Sequence, residues 1–215
     1  MDIRVFFAGA LGILIALDVH EFFHAWVSNW LGDPTAKYLG RISLNPLVHL
    51  DPLGTMMMVF AAMTGRGIGW GKPVPVNPNN LRYGPRVGMG IVSLAGPFAN
   101  LVTAAAFGLP LRFGTVLPGT LSFLFLQIMF INIGLAVFNL IPLPPLDGYG
   151  VLQGIVASIR GPTGYRLSQR LALVEQQGPS LLFLLILLGQ FFRLDVLGRF
   201  MNPIVTLVSR LILGL

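Results

Sequence analysis

His20 and His24 stand four residues apart in the run His20-Glu21-Phe22-Phe23-His24, with a carboxylate directly after the first histidine. On a helix this spacing leaves the imidazoles about 40° apart around the axis and one turn apart along it, so both can reach one ion. Glu21 lies beside that face. In zinc hydrolases built on this pattern the metal lowers the pKa of a bound water to about 7, and the glutamate accepts its proton. The motif would therefore supply two ligands and a base together. Taken alone it is moderately specific, and two helical histidines with a surface glutamate is the plain alternative.

The setting argues against that alternative. The run follows thirteen uninterrupted nonpolar residues, 5–17, and places Asp18, His20, Glu21 and His24 within seven positions. Each ionisable group at membrane depth costs on the order of 2.5–3.5 kcal/mol on insertion scales, so four of them call for a compensating partner such as a metal. A catalytic zinc commonly takes three protein ligands and a water. Cysteine is absent, so no disulfide framework and no thiolate site exist, and the third ligand must be His, Asp, Glu or a carbonyl. Asp147 is the only acid between Asp51 and Glu175, and it ends an uncharged block in Asn139-Leu140-Ile141-Pro142-Leu143-Pro144-Pro145-Leu146-Asp147-Gly148. A carboxylate suits zinc. The prolines should unwind the helix end and free backbone groups, which membrane interiors tolerate only when buried or lining a cavity. An ordinary interfacial turn at Asp147-Gly148 is the competing reading.

The elements that must position these residues are long and apolar. Hydrophobic residues make up 54% of the 215 and charged ones only 10%, against roughly 25% charged in a soluble domain. Residues 87–111, 113–146 and 176–192 carry no charge, and each approaches or exceeds the roughly 20 residues of a spanning helix. The first apolar block continues to about residue 31 and reads as a retained span rather than a cleaved signal. Helices are expected at about 3–31, 86–111, 119–142, 179–193 and 197–214, with a shorter apolar stretch at 53–64. Gly and Pro punctuate 32–86, which reads as a loop or short-strand insertion. The expected fold is an all-α polytopic membrane protein of about five transmembrane helices, forming a single domain over 1–215 with a catalytic core at about 3–150 and C-terminal helices at about 179–214. The net charge of +6 is scattered between apolar blocks, with no basic run to suit nucleic acid.

The His-Glu-x-x-His run in an early helix and Asn139-x-x-Pro142-x-Pro144-x-x-Asp147-Gly148 in a later one resemble the site-2 protease family of intramembrane metalloproteases. Ser93-Leu94-Ala95-Gly96-Pro97-Phe98-Ala99-Asn100 is similar to the family's middle core helix, so the resemblance covers roughly residues 10–150. It implies one Zn2+ held by His20, His24 and Asp147, Glu21 as general base, and Asn139 holding substrate or the oxyanion. It implies hydrolysis of peptide bonds in or near transmembrane segments of a protein or peptide substrate in the bilayer. No PDZ module is inserted and no CBS pair follows the last helix, so this looks like a compact form with regulation and oligomeric state left open. A metal transporter or sensor using the same ligands is the alternative, although such proteins more often show repeats. A pseudoprotease is a third reading, which the intact Glu21 disfavours.

Topology is an independent constraint. If 53–64 crossed the bilayer, the helices carrying Glu21 and ending at Asp147 would run in opposite directions, and Asp147 would exit away from His24. The segment should therefore be re-entrant or peripheral, with both core helices running the same way. Lys37, Arg41, Arg66, Lys72, Arg82, Arg86, Arg160, Arg166 and Arg170 then share one face, against Arg4, Arg112, Arg193 and Arg199. Nine against four marks that face as cytoplasmic. The site would then face the cytoplasmic half of a prokaryotic cell membrane.

Other residues carry weaker signals. His49 is a possible accessory ligand or a polar contact near the cleft. Asp18 lies about 200° around the helix from His20, which favours a structural contact over catalysis. Lys72-Pro73-Val74-Pro75-Val76 suits either an edge strand pairing with substrate or a membrane-surface loop. Gly96-Pro97 suits close helix packing or a kink, and Asn100 a hydrogen bond across helices without a catalytic role. Gln190 and Asn202 are isolated in helices that frame the core or gate lateral entry.

Overall fold

In the computed structural model the chain is described over residues 3–64, 69–114, 117–192 and 196–215. Arg66, Arg193 and the side chain of Gln190 lie outside the described residues. Helix α1 is Ile3–Trp30, followed by the single turn α2 (Thr35–Tyr38) and by α3 (Pro52–Thr64). Then come α4 (Pro85–Arg112), α5 (Gly119–Asn139), α6 (Asp147–Ser158), α7 (Pro162–Phe192) and α8 (Val196–Leu213). Five of these, α1, α4, α5, most of α7 and α8, are long and apolar enough to cross a membrane. This is an all-α polytopic membrane protein.

Helix α4 is the centre, packed against α1, α5, α6 and α8. Its buried positions are mostly small, including Gly88, Gly90, Ser93, Ala95, Gly96, Ala99, Ala104 and Gly108. Between lipid-embedded helices small residues let backbones approach and gain van der Waals contact, since lipid is as apolar as leucine. A Cβ built on Gly90 would lie 2.9 Å from the Gly154 Cα, so α4 and α6 touch backbone to backbone. Larger side chains fill the far end, where Ala104, Met129, Ile133 and Val137 pack with Phe107, Met201 and Ile212.

Contacts along the bundle give the helix directions. Gly12 of α1 faces Ile128 and Ile131 of α5. One turn on, the Ala16 carbonyl accepts from Asn100, which also donates to Asn132. Further on, His20 and His24 meet Asp147. Rising numbers on α1 match rising numbers on α5, so the two run the same way. On α4 the order is reversed, with Asn100 beside His20 and Val92 beside His24. Helix α3, at 13 residues about 20 Å long, is too short to cross a hydrocarbon core of about 30 Å. Leu53, Met56, Val59 and Phe60 on it are exposed. These are the relations the ligand geometry requires.

Helices α5, α6 and α7 each differ from the sequence expectation. Helix α5 stops at Asn139 rather than 142, because a residue preceding proline is pushed out of the helical region. Helix α6 was not expected, since Gly148, Gly150 and Gly154 lower intrinsic propensity; packing overrides it, and a Cβ on Gly150 would meet Ser93 Oγ at 2.3 Å. Helix α7 begins at Pro162, not 179, and continues through Pro179. The insertion contains no named strand among the described residues, only an isolated antiparallel bridge between Leu50 and Gly71.

Candidate metal centre

His20 and His24 project from one face of α1 into the bundle and are 5% and 8% exposed. Asp147 reaches them from the first residue of α6. Its position depends on Gly148, where a Cβ would lie 2.2 Å from the Leu140 carbonyl oxygen. Only glycine lets the first turn of α6 close so tightly on the end of α5. His20 Nε2 lies 3.0 Å from Asp147 Oδ2, His24 Nε2 lies 3.4 Å from it, and the two Nε2 atoms are 3.0 Å apart.

The surrounding hydrogen bonds decide which nitrogens carry protons. Asn132 donates Nδ2 to the Ile128 carbonyl, so its Oδ1 accepts from Asn100 Nδ2. The same Asn100 nitrogen donates to Ala16 O, which turns Asn100 Oδ1 toward His20 Nδ1 at 2.7 Å. That Nδ1 must therefore donate. His24 Nδ1 lies 2.7 Å from the Val92 carbonyl, which can only accept. In the neutral imidazoles both Nε2 atoms then present lone pairs, and Asp147 Oδ2 is buried with no hydrogen-bond partner. Three electron-rich atoms face one another, an arrangement that repels unless a cation joins them.

The donor set fits zinc. Tetrahedral bonds of about 2.0–2.2 Å place neighbouring ligand atoms about 3.3–3.6 Å apart, within a few tenths of an ångström of the 3.0, 3.0 and 3.4 Å found. Among the described residues, His20, His24 and Asp147 form the one group of three or more His, Asp or Glu residues able to hold a metal. Two neutral nitrogens, a carboxylate and an oriented outer shell of Asn100, Asn132 and Val92 match a zinc site with a position left for water. Glu21 sits next to the ligands on α1, and its Oε2 accepts a hydrogen bond from the Val74 N–H at 3.2 Å.

The remaining sequence candidates separate. Asn139 is half-buried and donates to Leu135 O of its own helix at 3.1 Å, outside the ligand group. His49 is 1% exposed and also outside that group. Its Nε2 lies 2.8 Å from Ser43 O and 3.6 Å from Asp18 Oδ1. Asp18 thus turns to a polar contact away from the metal ligands. Lys72, Pro73 and Val74 bond inward to the protein through their backbones. Gly96 has a sharper task than helix packing alone, because a Cβ there would lie 2.5 Å from His24 Nε2 and 2.7 Å from His20 Cε1.

Sequence reasoning missed the orienting role of Asn100 and passed over Asn132, Asp33 and Arg41. An amide inside the uncharged block 113–146 was the available signal for Asn132. Asp33, wholly buried, accepts from Thr35 N, Thr35 Oγ1, Asn77 N and Asn80 Nδ2. Burial opposes its ionisation, but those four donors outweigh burial and hold its carboxyl below the usual carboxylate range.

Comparison with known proteins points to zinc metalloproteases. A sequence profile of peptidase family M50 matches residues 111–185, a stretch that includes Asp147 but not the paired histidines. YwhC of Bacillus subtilis (strain 168), named provisionally as a zinc metalloprotease, is 38% identical over 156 residues, 67% of this chain and 67% of that protein. Rip2 of Mycolicibacterium smegmatis, named in the same way, is 34% identical over 157 residues, 70% of this chain and 58% of that protein. Rip2 of Mycobacterium tuberculosis is 32% identical over 156 residues, 69% and 57% respectively. The matches therefore span little more than half of Rip2. No solved structure matches the chain.

Proposed function

We propose that this chain, which belongs to peptidase family M50 and is a zinc metalloendopeptidase of site-2 protease type, hydrolyses peptide bonds in or beside the transmembrane segments of other membrane proteins. The observation that carries the reading is the convergence of His20, His24 and Asp147, flanked by Glu21, inside a bundle of apolar helices.

His20, His24 and Asp147 would hold a zinc ion whose Lewis acidity would make water a readier nucleophile near neutral pH and polarise the scissile carbonyl. Glu21 accepts the proton at a carboxylate oxygen and returns it to the departing amine. Asn100 and the Val92 carbonyl hold the imidazoles so that both Nε2 atoms face the ligand position. We assign to Asn139, in the last turn of α5, the holding of an unwound substrate segment or the oxyanion, a role for which its amide must leave Leu135 O. A helical substrate must unwind first, because helical amides are shielded sterically. The full chain acts as one catalytic unit, with α7 and α8 framing the core. The basic residues of 37–86 and 160–170 orient the site toward the cytoplasmic half of a prokaryotic cell membrane.

Purified, zinc-loaded protein should cleave one or more members of a panel of single-span substrates, while Glu21→Gln retains the metal and cleaves none. If the metal is present in both and neither cleaves, peptide hydrolysis is the wrong reading. Zinc flux into proteoliposomes that survives Glu21→Gln would instead favour transport.

A further inference from the structure

The segment 71–77 crosses Glu21 and is pinned at both ends. At its start Gly71 bridges Leu50, and the Lys72 N–H donates to the His49 carbonyl at 2.8 Å. At its end the Asn77 N–H donates to Asp33 Oδ2 at 2.7 Å. Between the anchors lie Pro73 and Pro75, whose rings preset φ and remove two N–H groups that could otherwise compete. What remains is the lateral position of the Lys72 to Val74 peptide units.

Arg41 sets that position. Its side chain is buried, Nη1 donates to the Pro73 carbonyl at 3.2 Å, and Nη2 donates to the Lys72 carbonyl. His49 supports the guanidinium from behind, with Nδ1 3.4 Å from Nη2. Since His49 Nε2 faces the Ser43 carbonyl and so carries the proton, Nδ1 has the lone pair to accept from Arg41. The next N–H after the two clamped carbonyls is that of Val74, the one on Glu21. Burial lowers the Arg41 pKa from its ordinary value, and the charge of Glu21 acts against that lowering.

We propose that Arg41 is a positioning residue for the reaction: by clamping the Lys72 and Pro73 carbonyls it fixes the Val74 N–H on Glu21 Oε2, leaving Oε1 to take the proton. The proposal rests on the hydrolytic reading of Glu21. A planar guanidinium holds two successive carbonyls at once, whereas an ammonium is a point donor, so lysine is a poor substitute. His49, on this account, serves the clamp and not the metal.

The test uses full-length, zinc-loaded protein in detergent and compares wild type with Arg41→Ala, Arg41→Lys and Val74→Pro. Val74→Pro removes the donating N–H, and its ring suits a segment that already favours extended backbone. Arg41→Ala should keep zinc at the wild-type stoichiometry and speed amide hydrogen exchange in 71–77 at least roughly tenfold. It should lower kcat about 10- to 100-fold with KM little changed, as expected for a misplaced group. Arg41→Lys should stay low, and added guanidinium should restore part of kcat to Arg41→Ala but none to Glu21→Gln. The double variant with Val74→Pro should be no worse than the worse single variant, because both act through one bond. Unchanged exchange in Arg41→Ala, an unchanged kcat, or additive losses would each overturn the clamp. If wild type itself cleaves nothing, the hydrolytic reading fails, and the exchange measurement still decides whether Arg41 holds the segment. If Arg41→Ala does not fold, Val74→Pro decides through the same kcat and KM comparison.

Discussion

Two buried polar clusters flank the second half of α1, and they are built on opposite rules. Toward α4, His20 is held by the Asn100 side chain and His24 by the Val92 carbonyl, and with Asp147 they turn three lone-pair atoms at one another. Toward the 31–84 insertion, Asp33 and Arg41 are met by groups of opposite polarity, four donors on the carboxylate and two carbonyls on the guanidinium. A buried polar group costs free energy unless it is matched. The second cluster matches its polar groups among themselves, Arg41 Nε excepted, whereas the first turns lone pairs at one another and calls for a cation. Glu21 joins the two.

The sharpest break of this contrast is Asp147→Ala. It should abolish stoichiometric zinc and lower peptide cleavage by more than about 10³-fold, since the metal contributes several kcal/mol to the barrier; metal analysis beside a cleavage assay reads both. Gly96→Ala comes next. Its methyl would lie 2.5 Å from His24 Nε2, and rings pinned at Nδ1 cannot yield, so zinc affinity should fall by about 100-fold or more. Competition with a chelator measures it.

Asn100→Leu removes the acceptor that sets the His20 tautomer while leaving all three ligands in place. Zinc affinity and activity should each fall about 10- to 100-fold, the usual range for an outer-shell partner. If affinity is unchanged, the tautomer is set some other way.

Asp33→Asn should do the reverse of these, leaving zinc affinity unchanged while lowering stability by about 1–3 kcal/mol through loss of charge-assisted hydrogen bonds. The folded pKa of Asp33 lies below the unfolded value, which is about 3.9. Its contribution is therefore complete above about pH 4 and disappears as pH falls through the lower folded value. The gap in melting temperature between wild type and Asp33→Asn should stay constant above that pH and close below it. A gap that widens on acidification would show that the carboxylate is not the stabilised form.

Much of the site was legible in the residues. The four-residue spacing of His20 and His24 puts two imidazoles on one helical face, and the scarcity of acids left Asp147 as the only intervening carboxylate. The requirement that these three meet also implied parallel α1 and α5 and a non-crossing α3, relations derived from connectivity alone. The insertion was less legible. Extended backbone between prolines suits several partners, and the reading of 72–76 as an edge for substrate could not anticipate that Arg41, His49 and Glu21 occupy its polar groups.

Composition and spacing by themselves determined that the chain is a bundle of apolar helices and which few imidazoles and carboxylates are candidates for a metal site, because helical periodicity and the cost of charge in lipid are local and additive. Only the tertiary structure decided that a glycine-rich stretch becomes α6, that Asn100 orients His20, and that Arg41 reaches the segment over Glu21. Those outcomes depend on surfaces contributed by residues tens of positions apart, such as Gly90 on Gly154 and Asn100 on His20. Which partner satisfies a buried amide or guanidinium is settled when the backbones close.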